Sequence, residues 1–141
     1  MKPVLYHPKS LQRVAENLFL VLFGGVLYCA LEITWRGRSH PSMAILGAIC
    51  FCMIYRINER FPHLPVLLRA LVEAILITLA ELLAGCLLNL GLGLAVWDYS
   101  TLPYQFLGQI CLPYTIVWFL LCIPLTGVSR LIRRHVFLSP F

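Results

Sequence analysis

Four long apolar segments, separated by short polar ones, dominate the chain. They cover residues 17–35, 42–55, 65–90 and 106–125. A helix needs roughly 20 apolar residues to cross a bilayer, and the second segment reaches a spanning length only if residues 41–58 are counted. The pattern therefore predicts an all-α, polytopic membrane protein built as a bundle of four transmembrane helices.

The connections between these segments predict that neighbouring helices are antiparallel. The first contains Gly37 and Pro41, and the second is bounded by prolines, so both are short turns. One helix over residues 65–96 would be about 48 Å long at ~1.5 Å per residue, which exceeds a hydrocarbon core of about 30 Å. We therefore expect the third helix to end near Gly91 and Gly93.

Composition supports membrane insertion and excludes a soluble domain. The chain of 141 residues is 60% hydrophobic and 12% charged, with a mean hydropathy of +0.86, whereas soluble domains carry roughly 25% charged residues. Glycine-rich phosphate loops and the His-Glu-x-x-His and Gly-x-Ser-x-Gly motifs are absent. The chain alone is therefore not expected to hydrolyse ATP, and an enzymatic role is the less favoured one.

The net charge of +5 follows the membrane topology. Every Lys and Arg except Arg36 and Arg38 lies before the first helix, around the second connection or after the fourth helix. Cytoplasmic loops are rich in Lys and Arg, so we expect a multi-pass protein of the bacterial cytoplasmic (inner) membrane with both termini cytoplasmic, and no nucleic-acid partner. The predicted divisions are a tail or interfacial helix at 1–16, the membrane domain at 17–127 and a basic tail at 128–141.

The cysteines and histidines indicate neither a metal site nor a cofactor. The six cysteines lie within or at the ends of apolar segments without Cys-x-x-Cys spacing, and the four histidines lie in loops or tails. Buried thiols behave as small apolar groups. We assign the cysteines to packing.

The first functional candidate is Glu81, whose neighbours in the third segment are almost all apolar. Inserting an ionisable group at this depth of a membrane costs on the order of 3 kcal/mol of free energy. Such a residue is therefore expected to have an interaction partner or a function. No basic residue of its own helix lies within one turn, and we expect the partner to be Arg36 or Gln109.

Further polar residues are expected at the same depth in the membrane as Glu81. With both termini inside, the first and third helices run outward, and the fourth begins outside with Gly108 and Gln109 in its first turns. A candidate binding site or ion pathway in the outer half of the bundle then comprises Glu32, Arg36, Glu81, Asn89, Trp97, Asp98, Tyr99 and Gln109.

Each of these residues also has a structural role as an alternative to binding. Glu32 and Arg36 have the i, i+4 spacing of an ion pair, and Glu73 has the same spacing from Arg69. Buried amides often join membrane helices by hydrogen bonds, which suits Asn89 and Gln109. The aromatic residues at 97 and 99 suit anchors in the headgroup zone.

Four stretches carry a resemblance to a known family: residues 31–43, 79–89, 96–100 (Val-Trp-Asp-Tyr-Ser) and 108–112 (Gly-Gln-Ile-Cys-Leu). Over about residues 18–125 the chain resembles the small bacterial membrane proteins called ABC-transporter type IV, or CmpB-like. The resemblance implies transport, a separate ATPase or other membrane subunit, and signature positions at Glu32, Arg36, Gly37, Glu81, Gly85, Asn89, Trp97, Asp98, Tyr99, Gly108 and Gln109.

Our leading hypothesis is a channel, transporter or transporter subunit with a polar site in the outer half of the bundle. It works in the lipid bilayer as a homo-oligomer, with a dimer favoured. One alternative is a membrane scaffold or regulatory subunit that transports nothing, in which the same residues join the helices. Another is an intramembrane enzyme acting on a lipid or lipid-linked headgroup.

Overall fold

The computed structural model describes residues 9–137, which form four long helices. They are α1 (Lys9–Arg36), α2 (Pro41–Arg60), α3 (Val66–Gly85) and α4 (Leu112–His135). Each is long and apolar enough to cross a membrane, α3 together with the turn that follows it. The prediction of an all-α bundle of four membrane helices is confirmed.

A tight turn joins α1 to α2. The Gly37 N–H donates to the Ile33 carbonyl at 2.8 Å, and Gly37 adopts a φ of +72°, which glycine accepts without steric cost. The His40 side chain then caps α2 by accepting from the Ser42 N–H at 3.2 Å. Pro41 follows as the first helical residue, where its missing N–H costs nothing.

The third helix ends in a widened, π-helical turn, Cys86–Gly91. The N–H of Leu92, directly after this turn, donates to the Leu87 carbonyl at 2.9 Å. The helix therefore stops at Gly91, as its length predicted. Such π-helical turns are rare and recur at functional sites, and this one contains Asn89.

The connection from α3 to α4 contains a small antiparallel hairpin, β1 (Gln105–Phe106) and β2 (Ile110–Cys111). The prediction that the fourth helix begins near residue 106, with Gly108 and Gln109 in its first turns, is wrong. The apolar residues Phe106 and Leu107 lie exposed in the hairpin, and α4 begins only at Leu112.

The second helix is central to the packing. It contacts α1, α3 and α4, while α1 packs mainly on α2 and α3 mainly on α4. Small residues let α1 and α2 approach closely: a Cβ on Gly24 would lie 2.6 Å from Phe51 Cβ and 2.9 Å from the Gly47 carbonyl oxygen. Close approach of this kind is how membrane helices gain packing energy without a hydrophobic driving force.

The bundle has two distinct ends. We call the end with the first residues of α1, the last of α4 and the α2–α3 connection the terminal end, and the opposite end the hairpin end. Ion pairs join three helices at the terminal end: Arg56 to Glu16 at 3.0 Å and to Glu59 at 2.6 Å, and Arg133 to Glu59 at 2.7 Å.

Two helices extend into the predicted tails. The first begins at Lys9, and α4 continues to His135. Residues 1–8 and 138–141 lie outside the described residues. The division of the chain at residues 16 and 127 stays a prediction.

Candidate functional site

Glu81 lies on α3 at the hairpin end, with 2% of its surface exposed. Its Oε2 accepts a hydrogen bond from Trp118 Nε1 of α4 at 3.0 Å. The predicted partners, Arg36 and Gln109, are wrong. The facing surface of α4 supplies an indole there, and no ion pair to Glu81 forms within residues 9–137.

The ion pair expected on α1 is present. Arg36 Nη2 lies 3.1 Å from Glu32 Oε1, and Ser39 Oγ donates to Glu32 Oε2 at 3.1 Å. Arg36 Nη1 also donates to the Val96 carbonyl at 3.3 Å. This guanidinium therefore links α1 to the α3–α4 connection as well as neutralising Glu32.

A cavity of about 240 Å³ opens between α1 and α4 beside this ion pair; we call it the aromatic cavity. The Glu32–Arg36 pair lies on its wall together with five aromatic side chains: Tyr28, Trp35, Tyr99, Tyr114 and Trp118. At about 30 Å³ per water, its volume corresponds to roughly eight waters. It is large enough for a small solute.

Two stacked ring pairs contribute to these walls. The Tyr28 and Trp118 ring centroids lie 5.8 Å apart, and those of Tyr99 and Tyr114 lie 4.7 Å apart with an interplanar angle of 11°. Trp35 Nε1 donates to the Tyr114 hydroxyl at 3.2 Å. Residues of α1, α4 and the connection are thereby fixed against one another.

Glu81 is coupled to the aromatic cavity through its wall. It does not line the space itself, but Trp118 does, and its indole N–H donates to Glu81. Tyr99 also lines the space. Burial raises the pKa of Tyr99, and the nearby Glu81 carboxylate raises it further. The Tyr99 hydroxyl therefore stays protonated at neutral pH and remains a donor.

A second group of polar residues fastens the α3–α4 connection to α3 by hydrogen bonds. It consists of Asn89, Trp97 and Gln109, and we call it the lock. Asn89 Nδ2 donates to Gln109 Oε1 at 2.7 Å, and Asn89 Oδ1 accepts from the Val96 N–H at 2.7 Å. Trp97 Nε1 donates to the Gln109 carbonyl at 2.9 Å. Trp97 is only 5% exposed, so its expected role as an interfacial anchor is wrong.

A glycine on α3 makes room for this lock. A Cβ at Gly85 would lie 2.5 Å from Gln109 Oε1 and 2.8 Å from Gln109 Cβ. Real Cβ atoms do not approach neighbours so closely, so any larger residue would displace the Gln109 side chain. Gly85 thus holds the Asn89–Gln109 hydrogen bond in place.

Asp98 has a different position from the other candidates. Its carboxylate accepts from the Ser100 N–H at 2.9 Å, an arrangement typical of a turn closed by an aspartate side chain. The Ser100 backbone N–H, and then the Ser100 hydroxyl, hold the pKa of Asp98 below its usual range. The carboxylate is exposed and outside the cavity lining.

The structure thus divides the eight predicted site residues by position. Those on the cavity wall are Glu32, Arg36 and Tyr99. Glu81 lies directly behind the wall, and the neighbouring lock contains Asn89, Trp97 and Gln109. That these residues bind a solute stays a prediction.

Sequence reasoning missed four aromatic residues of the cavity: Tyr28, Trp35, Tyr114 and Trp118. Within apolar segments they resemble ordinary lipid-facing or core residues. The available signal was the polar atom that each ring carries, because a buried Trp N–H or Tyr O–H usually has a hydrogen-bond partner. An unpaired carboxylate on the next helix was a candidate for that partner.

Another buried polar group lies nearer the terminal end. Asn58 Nδ2 donates to Glu73 Oε1 at 2.7 Å, and Arg69 Nη1 donates to Asn58 Oδ1 at 2.8 Å. All three residues are at most 3% exposed. The expected direct ion pair between Arg69 and Glu73 is replaced by a bridge through Asn58, an amide from a different helix.

A larger groove, of about 1050 Å³, runs along α1 and α2. Apart from Arg56, its lining is apolar or thiol-bearing, as in Val26, Ile45 and Cys52. A membrane helix bundle covers such a surface with lipid. The groove therefore offers few polar groups, whereas the wall of the aromatic cavity includes the Glu32–Arg36 pair.

The model of the family described as "Putative ABC-transporter type IV" matches residues 26–139. The match covers most of the chain, so this protein belongs to that family. No curated protein and no solved structure matches it.

Proposed function

We propose that this member of the ABC-transporter type IV family is a small membrane transport protein, either a channel or transporter itself or the membrane subunit of one. It binds a small solute in the aromatic cavity. The observation that carries this proposal is the gathering of the Glu32–Arg36 pair and the Glu81 carboxyl around one open space at the hairpin end of the bundle. Ionisable residues within membrane helices are rare and usually mark substrate or ion pathways.

The shape of the cavity supports binding. Ligand sites are usually concave and mostly apolar, with a few convergent polar groups that fix orientation. Here aromatic rings supply the apolar walls, and the Glu32–Arg36 pair supplies the polar groups. The hydrogen bond from Trp118 to Glu81 gives a route by which an occupant would alter the packing of α3 against α4.

We propose the bacterial cytoplasmic membrane as the location, with both termini cytoplasmic. Basic residues support this orientation, because Arg56, Arg130 and Arg133 are among those at the terminal end, while Arg36 and Arg38 lie at the hairpin end. The aromatic cavity would then open outward. We also propose that copies associate as a homo-oligomer, with a dimer favoured, and that a separate ATPase or membrane subunit joins it.

Tracer uptake into proteoliposomes tests the transport proposal. Acetate, phosphate, choline and glycine betaine serve as probes, because they cover anions, a cation and a zwitterion. We expect protein-dependent uptake of at least one of them and a reduction of about tenfold or more in Glu81→Gln, equivalent to about 1.4 kcal/mol in the barrier. Glutamine keeps an oxygen that accepts from Trp118, so the variant should stay monodisperse on size exclusion.

The matched control is Glu16→Gln, a carboxylate of the terminal end that pairs with Arg56. This variant should retain uptake. Absence of uptake for all four probes, or equal rates in the wild type and Glu81→Gln, would reject the transport proposal.

A second candidate is a membrane scaffold or regulatory subunit. The lock around Gln109 favours it, because Asn89, Trp97 and Gln109 are paired with one another or with the backbone. This role predicts that Glu81→Gln lowers thermal stability and disrupts the oligomer, whichever solute is present. Uptake that is lost while stability is kept would argue against the scaffold.

A further inference from the structure

The aromatic cavity has the composition of a cation site. Tyr28, Trp118, Tyr99 and Tyr114 form its two stacked pairs, and Trp35 adds a fifth ring. The faces of aromatic rings carry negative electrostatic potential and attract organic ammonium ions, including quaternary ones, within about 6 Å of the ring centre. Five such rings line this one space.

The charges near the cavity do not oppose a cation. Arg36 is the positive group on the wall, and it is neutralised by Glu32 at 3.1 Å and hydrogen-bonded to the Val96 carbonyl. Glu81 has no such counter-charge within the described residues. Two carboxyl groups, those of Glu32 on the wall and Glu81 behind it, therefore lie near the one guanidinium of Arg36.

Glu81 also acts on the ring that faces the cavity. Trp118 donates its indole N–H to the Glu81 carboxyl at 3.0 Å. Donation to an acceptor shifts electron density toward the ring, which makes its face more negative. Hydrogen-bonded groups polarise one another in this way where the local dielectric constant is low.

From these observations we infer that the aromatic cavity binds a compact organic ammonium cation, held by the aromatic rings and favoured by the Glu81 carboxyl that accepts from Trp118. The inference rests on the proposed function and names its substrate class. The cation is either a free solute or the ammonium group of a lipid headgroup, since the cavity lies between α1 and α4 and its lining includes Leu31, Val117 and Leu121.

Intrinsic tryptophan fluorescence tests the charge requirement, because Trp35 and Trp118 both line the cavity. The full chain in dodecyl maltoside is titrated with choline, with its neutral isostere 3,3-dimethylbutan-1-ol, and with the anion pivalate. Choline should change the emission saturably, and the isostere should bind about tenfold more weakly or not at all. Glu81→Gln should weaken choline binding by about tenfold, while Glu16→Gln should leave it unchanged.

The outcomes separate the inference from the proposed function. Equal binding of the neutral isostere, tighter binding of pivalate, or no saturable choline signal would overturn the cation site. Uptake of acetate or phosphate that depends on Glu81 would leave the transport proposal standing in each of these cases.

The source of the cation is tested in nanodiscs. Choline binding that persists in phosphatidylglycerol discs and is lost in phosphatidylcholine discs would identify the lipid headgroup as an occupant. Equal binding in both would identify a free solute. Loss of binding in both types of disc would overturn the site.

Discussion

Trp118 and Glu81 meet across the α3–α4 interface, where the indole Nε1 donates to the buried carboxyl at 3.0 Å. This contact explains how a carboxyl that is 2% exposed persists within an apolar bundle. It also connects the chemistry of α3 to the wall of the aromatic cavity. The carboxyl and the indole should therefore be tested as a pair.

Trp118→Phe should destabilise the protein, because it keeps a ring in place but removes a donor from a buried carboxyl. Leaving a buried polar group without its partner costs about 1–3 kcal/mol. We expect a lower melting temperature in detergent by circular dichroism, and recovery of part of that loss in the double variant Trp118→Phe, Glu81→Met. Trp35→Phe is the control, since Trp35 is 74% exposed. Equal losses in both single variants would contradict the role of the Glu81 contact.

Much of the fold follows from the sequence alone. Segment length and hydropathy are enough to predict four helices, because a bilayer imposes a minimum length on a spanning element. The end of α3 near Gly91 follows from the same limit. The Glu32–Arg36 pair follows from helical periodicity, since residues four apart share a face.

The contacts of the site could not be read in the same way. Trp118 meets Glu81 because of the rotation of α4 relative to α3, and no periodicity within either helix specifies that rotation. The apolar neighbours of Gln109 resemble a membrane span and predict a helix, whereas hydrogen bonds to Asn89 and Trp97 hold it in a hairpin. Residues distant in sequence determine both outcomes.

Gly24→Ala should separate α1 from α2. The added Cβ would lie 2.6 Å from Phe51 Cβ and 2.9 Å from a backbone oxygen, and backbone cannot move aside cheaply. Overpacking of this kind costs about 1–3 kcal/mol, so we expect a melting temperature several degrees lower. Gly127→Ala is the control, because nothing lies within 4 Å of its added Cβ, and it should be neutral or slightly stabilising. Similar effects at both glycines would refute the close approach.

Gly85→Ala should loosen the α3–α4 connection. Its Cβ would displace Gln109 and break the hydrogen bond from Asn89, whose length is 2.7 Å. Cys111, which is 3% exposed and follows this lock in β2, should then react faster with N-ethylmaleimide. Peptide mass spectrometry measures its labelling rate separately from those of the other cysteines. An unchanged rate, with Gly127→Ala as the reference, would show that the lock tolerates the methyl group.

Asn58→Leu should be among the most damaging substitutions. Asn58 connects Arg69 at 2.8 Å to Glu73 at 2.7 Å, and all three are buried. Breaking a buried charge network by removing one partner costs about 3–5 kcal/mol, because the remaining charges are left without compensation. We expect poor recovery of monodisperse protein on size exclusion and a large fall in melting temperature.

Asn17→Leu is the matched control for Asn58→Leu. It removes an amide that also bonds an arginine, Arg56, but at an exposed position. Because solvent replaces that lost hydrogen bond, its effect should be within about 0.5 kcal/mol. Comparable losses in the two variants would mean that Asn58 does not bridge the two charges.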